Sequence, residues 1–204
     1  MNLNLPNKVT LSRLGLAVVF FVLVSFDHPA CLDWANVVFI IAGLTDILDG
    51  YLARKYNLAT AFGRVADPLV DKVIVCGGFA LLASRTPAIA PWMVVVLISR
   101  EFLVSSIRGY AESHGTAFGA ELAGKAKAVV QMIALAVVIY VKAHGHLPLL
   151  PGVASRWVAV DVVYLALVLT VLSAIVYVVK AHRSFTAKRD APPDAGSDPR
   201  ARHE

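Results

Sequence analysis

Residues 34–71 read WANVVFIIAGLTDILDGYLARKYNLATAFGRVADPLVD, and this stretch decides the fold. It holds an apolar run that begins at Trp34, a more polar connection, and the start of a second apolar run. A helix needs about 20 predominantly apolar residues to cross a bilayer. The pattern therefore predicts two membrane-spanning helices, and four carboxylates lie where these helices approach their connection: Asp46, Asp49, Asp67 and Asp71.

The composition of the whole chain agrees with a membrane protein. Of its 204 residues, 58% are hydrophobic and 16% are charged, which is too little charge to cover a soluble domain of this length. We predict an all-α fold with six transmembrane helices, at residues 9–26, 34–54, 67–85, 88–108, 123–142 and 158–180. Residues 1–182 would form one six-helix domain, and the polar, proline-containing segment 183–204 a disordered cytoplasmic tail.

Basic residues are distributed unevenly between the two predicted membrane sides. One side has Arg85, Lys142 and Arg156, and the other has Lys8, Arg13, Arg54, Lys55, Arg64, Arg108, Lys125, Lys127, Lys180, Arg183, Lys188 and Arg189. The positive-inside rule therefore places both termini and the aspartates in the cytoplasm, in a multi-pass protein of the inner or plasma membrane. All three tryptophans lie at predicted outer ends, as in an interfacial aromatic belt.

The net charge of +5 raises the question of a nucleic-acid partner. Basic residues in a membrane protein set topology and attract anionic headgroups. Because no basic stripe is interleaved with exposed aromatic residues, we predict that this chain binds membrane lipid and no nucleic acid.

The spacing of the four aspartates places each pair on one helical face. Asp46 and Asp49 are three residues apart, and Asp67 and Asp71 are four apart. Crowded carboxylates cannot all remain ionised without a cation, and an all-oxygen set suits Mg²⁺ or Mn²⁺. The sequence therefore predicts a divalent metal site. Each pair also has a simpler interpretation: solvation or pairing with Arg54 for the first, and helix capping by Asp67 for the second.

Small residues and an arginine accompany these carboxylates. Gly50 and Ala53 share the face of the first pair, where small side chains let a substrate or a neighbouring helix approach closely. Arg54 offers a planar fork of donors that matches phosphate oxygens, and Gly63 lies in the connection that leads to the third span. Acidic metal ligands beside an arginine, with room for a bulky group, suit a nucleotide pyrophosphate.

Written out, the segment is Asp46-x2-Asp49-Gly50-x2-Ala53-Arg54-x8-Gly63-x3-Asp67-x3-Asp71. This resembles the signature of the CDP-alcohol phosphatidyltransferases at every fixed position, and the resemblance extends over roughly residues 3–182. It implies a six-helix membrane enzyme, often a homodimer. Such enzymes attack the β-phosphoryl group of a CDP-linked lipid with an alcohol and release CMP.

The resemblance also implies a role for each matching residue. The four aspartates would hold two metal ions, Mg²⁺ or Mn²⁺, and Asp71 would in addition take the proton from the attacking hydroxyl. The CDP-lipid would bind at Gly50, Ala53, Arg54 and Gly63.

Three further stretches most resemble the members of the family whose acceptor is glycerol-3-phosphate. They are Asn4-Leu5-Pro6-Asn7-x-Val9-Thr10-Leu11-x-Arg13, Arg100-Glu101-x5-Ile107-Arg108 and Gly124-Lys125-x-Lys127-x3-Gln131. An acceptor phosphate dianion needs cationic partners, and four residues can provide them: Arg100, Arg108, Lys125 and Lys127. The last three can equally be topology charges. Glu101 projects about 100° away from Arg100 on a helix and so need not be its ion partner.

The expected reaction is the transfer of a phosphatidyl group from CDP-diacylglycerol to glycerol-3-phosphate. One alternative is a sibling transferase that uses serine, inositol phosphate or phosphatidylglycerol as acceptor. Another is a cation transporter that conducts through intramembrane carboxylates. The position of the charge argues against transport, because all four aspartates lie toward one membrane face and the opposite half has no matching acidic relay.

Overall fold

The computed structural model describes residues 5–56, 61–113, 122–148, 150 and 152–190, except the side chains of 5–10, 46–56, 61–68, 112, 122–123, 125, 152, 184–185 and 187–190. These residues form six α-helices: α1 (Leu5–Ser25), α2 (Pro29–Tyr56), α3 (Ala61–Ala83), α4 (Pro91–Ser113), α5 (Leu122–His144) and α6 (Gly152–Asp190). Within the described ranges there is no strand, only one isolated bridge between Leu147 and Leu150. The predicted all-α fold is confirmed.

Three connections between helices meet at one end of the bundle. Asp27 lies between α1 and α2, and its carboxylate accepts from Lys142 at the end of α5 (2.8 Å) and pairs with Arg85 after α3 (3.6 Å). The Lys142 ammonium, and then the Arg85 guanidinium, hold the pKa of Asp27 below its usual value of 3.8. We call this the turn end. The opposite end, where α2 finishes and α3 begins, is the aspartate end.

A glycine and a buried serine fix the connection between α5 and α6. Gly145 has a φ of 73°, a left-handed conformation that favours glycine, and its N–H donates to the carbonyl of Val141 (2.8 Å) to close α5. Ser155 Oγ, fully buried, accepts from the Leu147 N–H (2.8 Å) and donates to the Leu150 carbonyl (3.1 Å). These bonds satisfy one backbone N–H and one carbonyl in the connection, where no helix supplies their partners.

The helices that carry the aspartates share two neighbours. Both α1 and α5 pack against α2 and α3, while α4 packs against α3 and α6. The helices approach closely at Gly78, where an added Cβ would lie 2.7 Å from Leu135 Cδ2 and 3.1 Å from Phe20 Cε1. Both of those side chains are fully buried. The absent side chain at Gly78 thus allows α1, α3 and α5 to meet in one core.

The outer surface of the bundle is apolar, as expected for a membrane protein. Many large apolar side chains are exposed along the helices, among them Val95, Phe102 and Leu172. In the described part of the chain, two helices are long and apolar enough to cross a membrane, through Ala126–His144 and Val153–Arg183. Shorter apolar stretches occupy Leu11–Ser25 and Pro29–Thr45. The chain is a membrane protein, and the prediction of six spans stays a prediction.

The three tryptophans are exposed and lie near the starts of helices that begin at the turn end. Trp34 is in α2, Trp92 in α4 and Trp157 in α6. Their common level is the arrangement expected of an interfacial belt.

Several helix ends lie a few residues outside the predicted spans, and two of these differences concern the predicted site and tail. Helix α3 begins at Ala61, so Asp67 and Asp71 occupy its second and third turns rather than its start. Helix α6 continues to Asp190, so residues 183–190 are helical instead of belonging to a disordered tail. Between residues 153 and 191 there is no glycine or proline to interrupt the helix. The remainder of the predicted tail, 191–204, lies outside the described residues.

Candidate active site

The backbone places all four predicted metal ligands on helices. Asp46 and Asp49 lie in the last turns of α2, and Asp67 and Asp71 lie near the beginning of α3. Their spacings of three and four residues therefore put each pair on one helical face, as predicted. The side chains of the first three lie outside the described residues, as do those of the predicted CDP-lipid residues: Gly50, Ala53, Arg54 and Gly63.

Asp71 is held by an arginine from the first helix. The Arg13 Nη1 donates to Asp71 Oδ1 over 2.9 Å. The Arg13 side chain is 3% exposed, whereas that of Asp71 is 43% exposed. A charge-assisted bond from a buried guanidinium fixes the orientation of a carboxylate, and the Asp71 side chain is itself partly exposed to solvent. This carboxylate oxygen chemistry fits a hard divalent ion.

Sequence reasoning counted Arg13 only as a topology charge and as part of a family-like stretch. Its role as partner of Asp71 was missed because 58 residues separate them. The available signal was a lone arginine inside the predicted first span, where an unpaired charge is costly.

The predicted acceptor-binding residues Arg100 and Lys127 meet at one carboxylate. Glu101 Oε1 accepts from Arg100 Nη1 (3.1 Å) and from Lys127 Nζ. The exposed fraction is 10% for the side chains of Arg100 and Glu101 and 7% for that of Lys127. Arg100 Nη2 also donates to Ser173 Oγ on α6 (2.8 Å). We call Arg100, Glu101 and Lys127 the buried triad.

The expectation that Glu101 need not pair with Arg100 was wrong. Although neighbouring residues project about 100° apart on a helix, both side chains are long, and their ends converge in the space between α4, α5 and α6. Burial supplies the driving force, because a charge removed from water needs a charged or hydrogen-bonded partner. The signal in the sequence was the presence of Glu101 itself inside an apolar helix.

Arg108 and Lys125 are the other two predicted acceptor residues. Arg108 is exposed, and its guanidinium carbon lies 5.8 Å from the ring centroid of Tyr177 on α6, a cation–π contact. The side chain of Lys125 lies outside the described residues.

Lys72, next to Asp71 on α3, was not singled out from the sequence. Its Nζ donates to Ser105 Oγ on α4, and Ser105 Oγ donates to the backbone carbonyl of Glu101. A continuous series of contacts therefore joins the aspartate helix to the buried triad. These contacts lie where α3 packs against α4.

Comparison with known proteins gives a consistent result. A sequence model described as CDP-alcohol phosphatidyltransferase matches residues 3–172. A relative from Bacillus subtilis is 38% identical over 152 residues, covering 67% of this chain and 76% of the relative. A relative from Shigella flexneri is 32% identical over 187 residues, covering 87% and 94%.

A third relative, from Arabidopsis thaliana, is 31% identical over 204 residues, covering 91% of this chain and 83% of the relative. The bacterial proteins are named CDP-diacylglycerol–glycerol-3-phosphate 3-phosphatidyltransferase, and the plant protein carries the same name with the number 2. The similarity therefore spans bacteria and a plant.

Proposed function

The chain belongs to the CDP-alcohol phosphatidyltransferase family, and on this premise we propose that it transfers a phosphatidyl group from CDP-diacylglycerol to glycerol-3-phosphate. The products are CMP and phosphatidylglycerol phosphate. The observation that carries the proposal is the buried triad beside the aspartate helix, because two cations close to a reacting centre suit a phosphorylated acceptor. The names of the relatives support the same donor and acceptor.

Asp71 is the proposed general base. A hydroxyl oxygen of the acceptor forms a new bond to the β-phosphorus of the CDP-lipid, its proton passes to Asp71, and the bond to the CMP oxygen breaks. Arg13 donates to one oxygen of the Asp71 carboxylate, and this bond restricts the orientation of the proposed base. Orientation of this kind supplies much of the catalysis in phosphoryl transfer.

The proposed metal ligands are Asp46, Asp49, Asp67 and Asp71, which would hold Mg²⁺ or Mn²⁺, two ions in all. Bound there, divalent ions would neutralise charge on the pyrophosphate and the leaving CMP. The proposed CDP-lipid contacts are Gly50, Ala53, Arg54 and Gly63, of which the arginine offers donors to phosphate oxygens.

The proposed acceptor contacts are Arg100, Arg108, Lys125 and Lys127. Support comes from the burial of two of these cations on a single carboxylate, which leaves the buried triad with an excess positive charge. An anion is the natural ligand for such a site.

We further propose a multi-pass arrangement with six spans, in which residues 1–182 form the catalytic domain. The aspartate end and both termini face the cytoplasm of the inner or plasma membrane, where the basic residues concentrate. A homodimer is proposed as the assembly. The turn end, which carries the exposed tryptophans, faces the opposite side.

A panel of acceptors tests the reaction. Purified protein in detergent receives CDP-diacylglycerol, Mg²⁺ or Mn²⁺, and one of glycerol-3-phosphate, serine, inositol phosphate or phosphatidylglycerol, with CMP release as the readout. We expect CMP release with glycerol-3-phosphate and its loss on chelation of the metal. Release with another acceptor but none with glycerol-3-phosphate would reassign the chain to a sibling transferase.

A further inference from the structure

The buried triad has a geometry that a set of topology charges does not require. One oxygen of Glu101 receives donors from Arg100 on its own helix and from Lys127 on α5. Each of the three side chains is at least nine-tenths buried. Topology charges lie near the ends of spans and remain in water, whereas these converge on one point inside the bundle.

The charges of the buried triad do not balance. Two cations share one carboxylate, and among the described residues neither cation has a second acidic partner. Arg100 Nε is also buried without a hydrogen-bond partner in the described part of the chain. Burying an excess charge and an unpaired donor is costly, and a bound anion would offset this cost.

We propose that Glu101 is a positioning residue for the acceptor phosphate: its carboxylate holds Arg100 and Lys127 at a common point, so that both present their remaining donors to one anion. The inference rests on the proposed acceptor. An ammonium has three donors and a guanidinium five, and Glu101 takes one from each of them. The remaining N–H donors of Arg100 and Lys127 can bind the ligand or neighbours such as Ser173.

The location of the buried triad relative to the aspartates supports this role. Ser105, one turn after Glu101 on α4, joins the carbonyl of Glu101 to Lys72, the residue that follows Asp71. An acceptor of a few ångströms' length has a phosphate at one end and hydroxyls at the other. The contacts through Ser105 place the proposed phosphate end and the proposed base on adjoining parts of α3 and α4.

The competing explanation is that Glu101 is only a structural bond between α4 and α5. A structural role predicts loss of stability without a selective change in acceptor affinity. An electrostatic role without positioning predicts tighter acceptor binding when the negative charge is removed. Only positioning predicts that the KM for glycerol-3-phosphate rises while the KM for CDP-diacylglycerol is kept.

The test compares wild-type protein with Glu101→Gln, Lys127→Met and the double variant that combines them. Thr170→Val is the matched control, because Thr170 accepts from Gln131 (2.9 Å) in another buried polar contact between α5 and α6. For each protein, CMP release gives kcat and both KM values, and thermal unfolding in detergent gives stability. The wild-type measurement with glycerol-3-phosphate tests the proposed function first and separately.

We expect Glu101→Gln to raise the KM for glycerol-3-phosphate about tenfold, the size expected from misplacing one charge-assisted hydrogen bond. The KM for CDP-diacylglycerol should change less than about threefold. In the Lys127→Met background, Glu101→Gln should raise the acceptor KM by a smaller factor, because one of the two cations that it positions is already absent. Thr170→Val should lower stability and leave both KM values unchanged.

Several results would overturn the inference. An acceptor KM that is unchanged or lower in Glu101→Gln contradicts positioning while leaving the proposed function intact. If Glu101→Gln does not fold, the inference is tested by comparing the double variant with Lys127→Met. The double variant has the same net charge in the buried triad as the wild type. A lower acceptor KM in the double variant than in Lys127→Met contradicts positioning. Wild-type protein that releases no CMP with glycerol-3-phosphate overturns both proposals.

Discussion

Replacing Arg13 with methionine removes the guanidinium that binds Asp71 and keeps a long apolar side chain in its place. Arg13 is almost fully buried on α1, and its Nη1 lies 2.9 Å from Asp71 Oδ1. The variant leaves every proposed metal and substrate ligand in the chain. Its effect therefore reports on how much the orientation of Asp71 matters.

The structure sets the size of the expected loss. A hydrogen bond to a charged group contributes about 1.5–3 kcal/mol. Because the Asp71 side chain is 43% exposed, solvent screening favours the lower end of that range. About 1.4 kcal/mol corresponds to a factor of ten in rate, so we expect kcat to fall roughly tenfold. The KM for the acceptor should change little, since Arg13 binds the proposed base.

CMP release under saturating CDP-diacylglycerol and glycerol-3-phosphate measures this kcat. Arg156→Met is the control, because Arg156 is exposed near the start of α6, far along the chain from the aspartates. Arg13→Lys should recover part of the rate, since lysine keeps the charge but not the planar fork. Wild-type kcat in a folded Arg13→Met protein would show that Asp71 needs no partner from α1.

Three other variants test the site, the core and the turn end. Asp71→Asn should abolish turnover while CDP-diacylglycerol binding, measured with labelled lipid, is largely kept; wild-type turnover would remove the assignment of the base. Gly78→Ala should cost about 1–3 kcal/mol of stability by overpacking against Leu135 and Phe20. Gly15→Ala, whose added methyl group would meet nothing within 4 Å, is the control. Equal melting temperatures of the two variants would contradict the packing. Asp27→Asn should be less stable than wild type at neutral pH. Because the folded pKa of Asp27 is lowered, its contribution is present above 3.8 and is lost as the pH falls below that value, so a stability difference that persists unchanged in acid would contradict the ion pairs.

Much of the candidate site could be predicted because its determinants are local. The spacing of Asp46, Asp49, Asp67 and Asp71 defines two helical faces once α2 and α3 are known to be helices. Apolar runs and their interruptions likewise predicted six helices with boundaries within several residues. The end of α6 at Asp190 was missed because polar residues continue a helix when no glycine or proline stops it. The start of α3 at Ala61 was missed because Gly63 and Pro68, which usually mark a connection, lie inside this helix.

The partners of the charged residues could not be predicted in the same way. Glu101 and Lys127 are 26 residues apart, and Arg100 and Ser173 are 73 apart. Helices in a membrane are apolar on the face toward lipid and on the face toward the core. Hydrophobic periodicity therefore does not indicate which side of α4 or α5 turns inward.

By itself, the sequence determined that this protein is a helical membrane protein of a phosphatidyltransferase family, with its carboxylates on two consecutive helices. These properties follow from composition and from spacing along the chain. Only the tertiary structure decided that Arg13 holds Asp71 and that Glu101 gathers Arg100 and Lys127. The physical reason is that such contacts depend on how each helix is rotated against its neighbours. That rotation is fixed by close approaches such as the one at Gly78 and by the need to pair every buried charge.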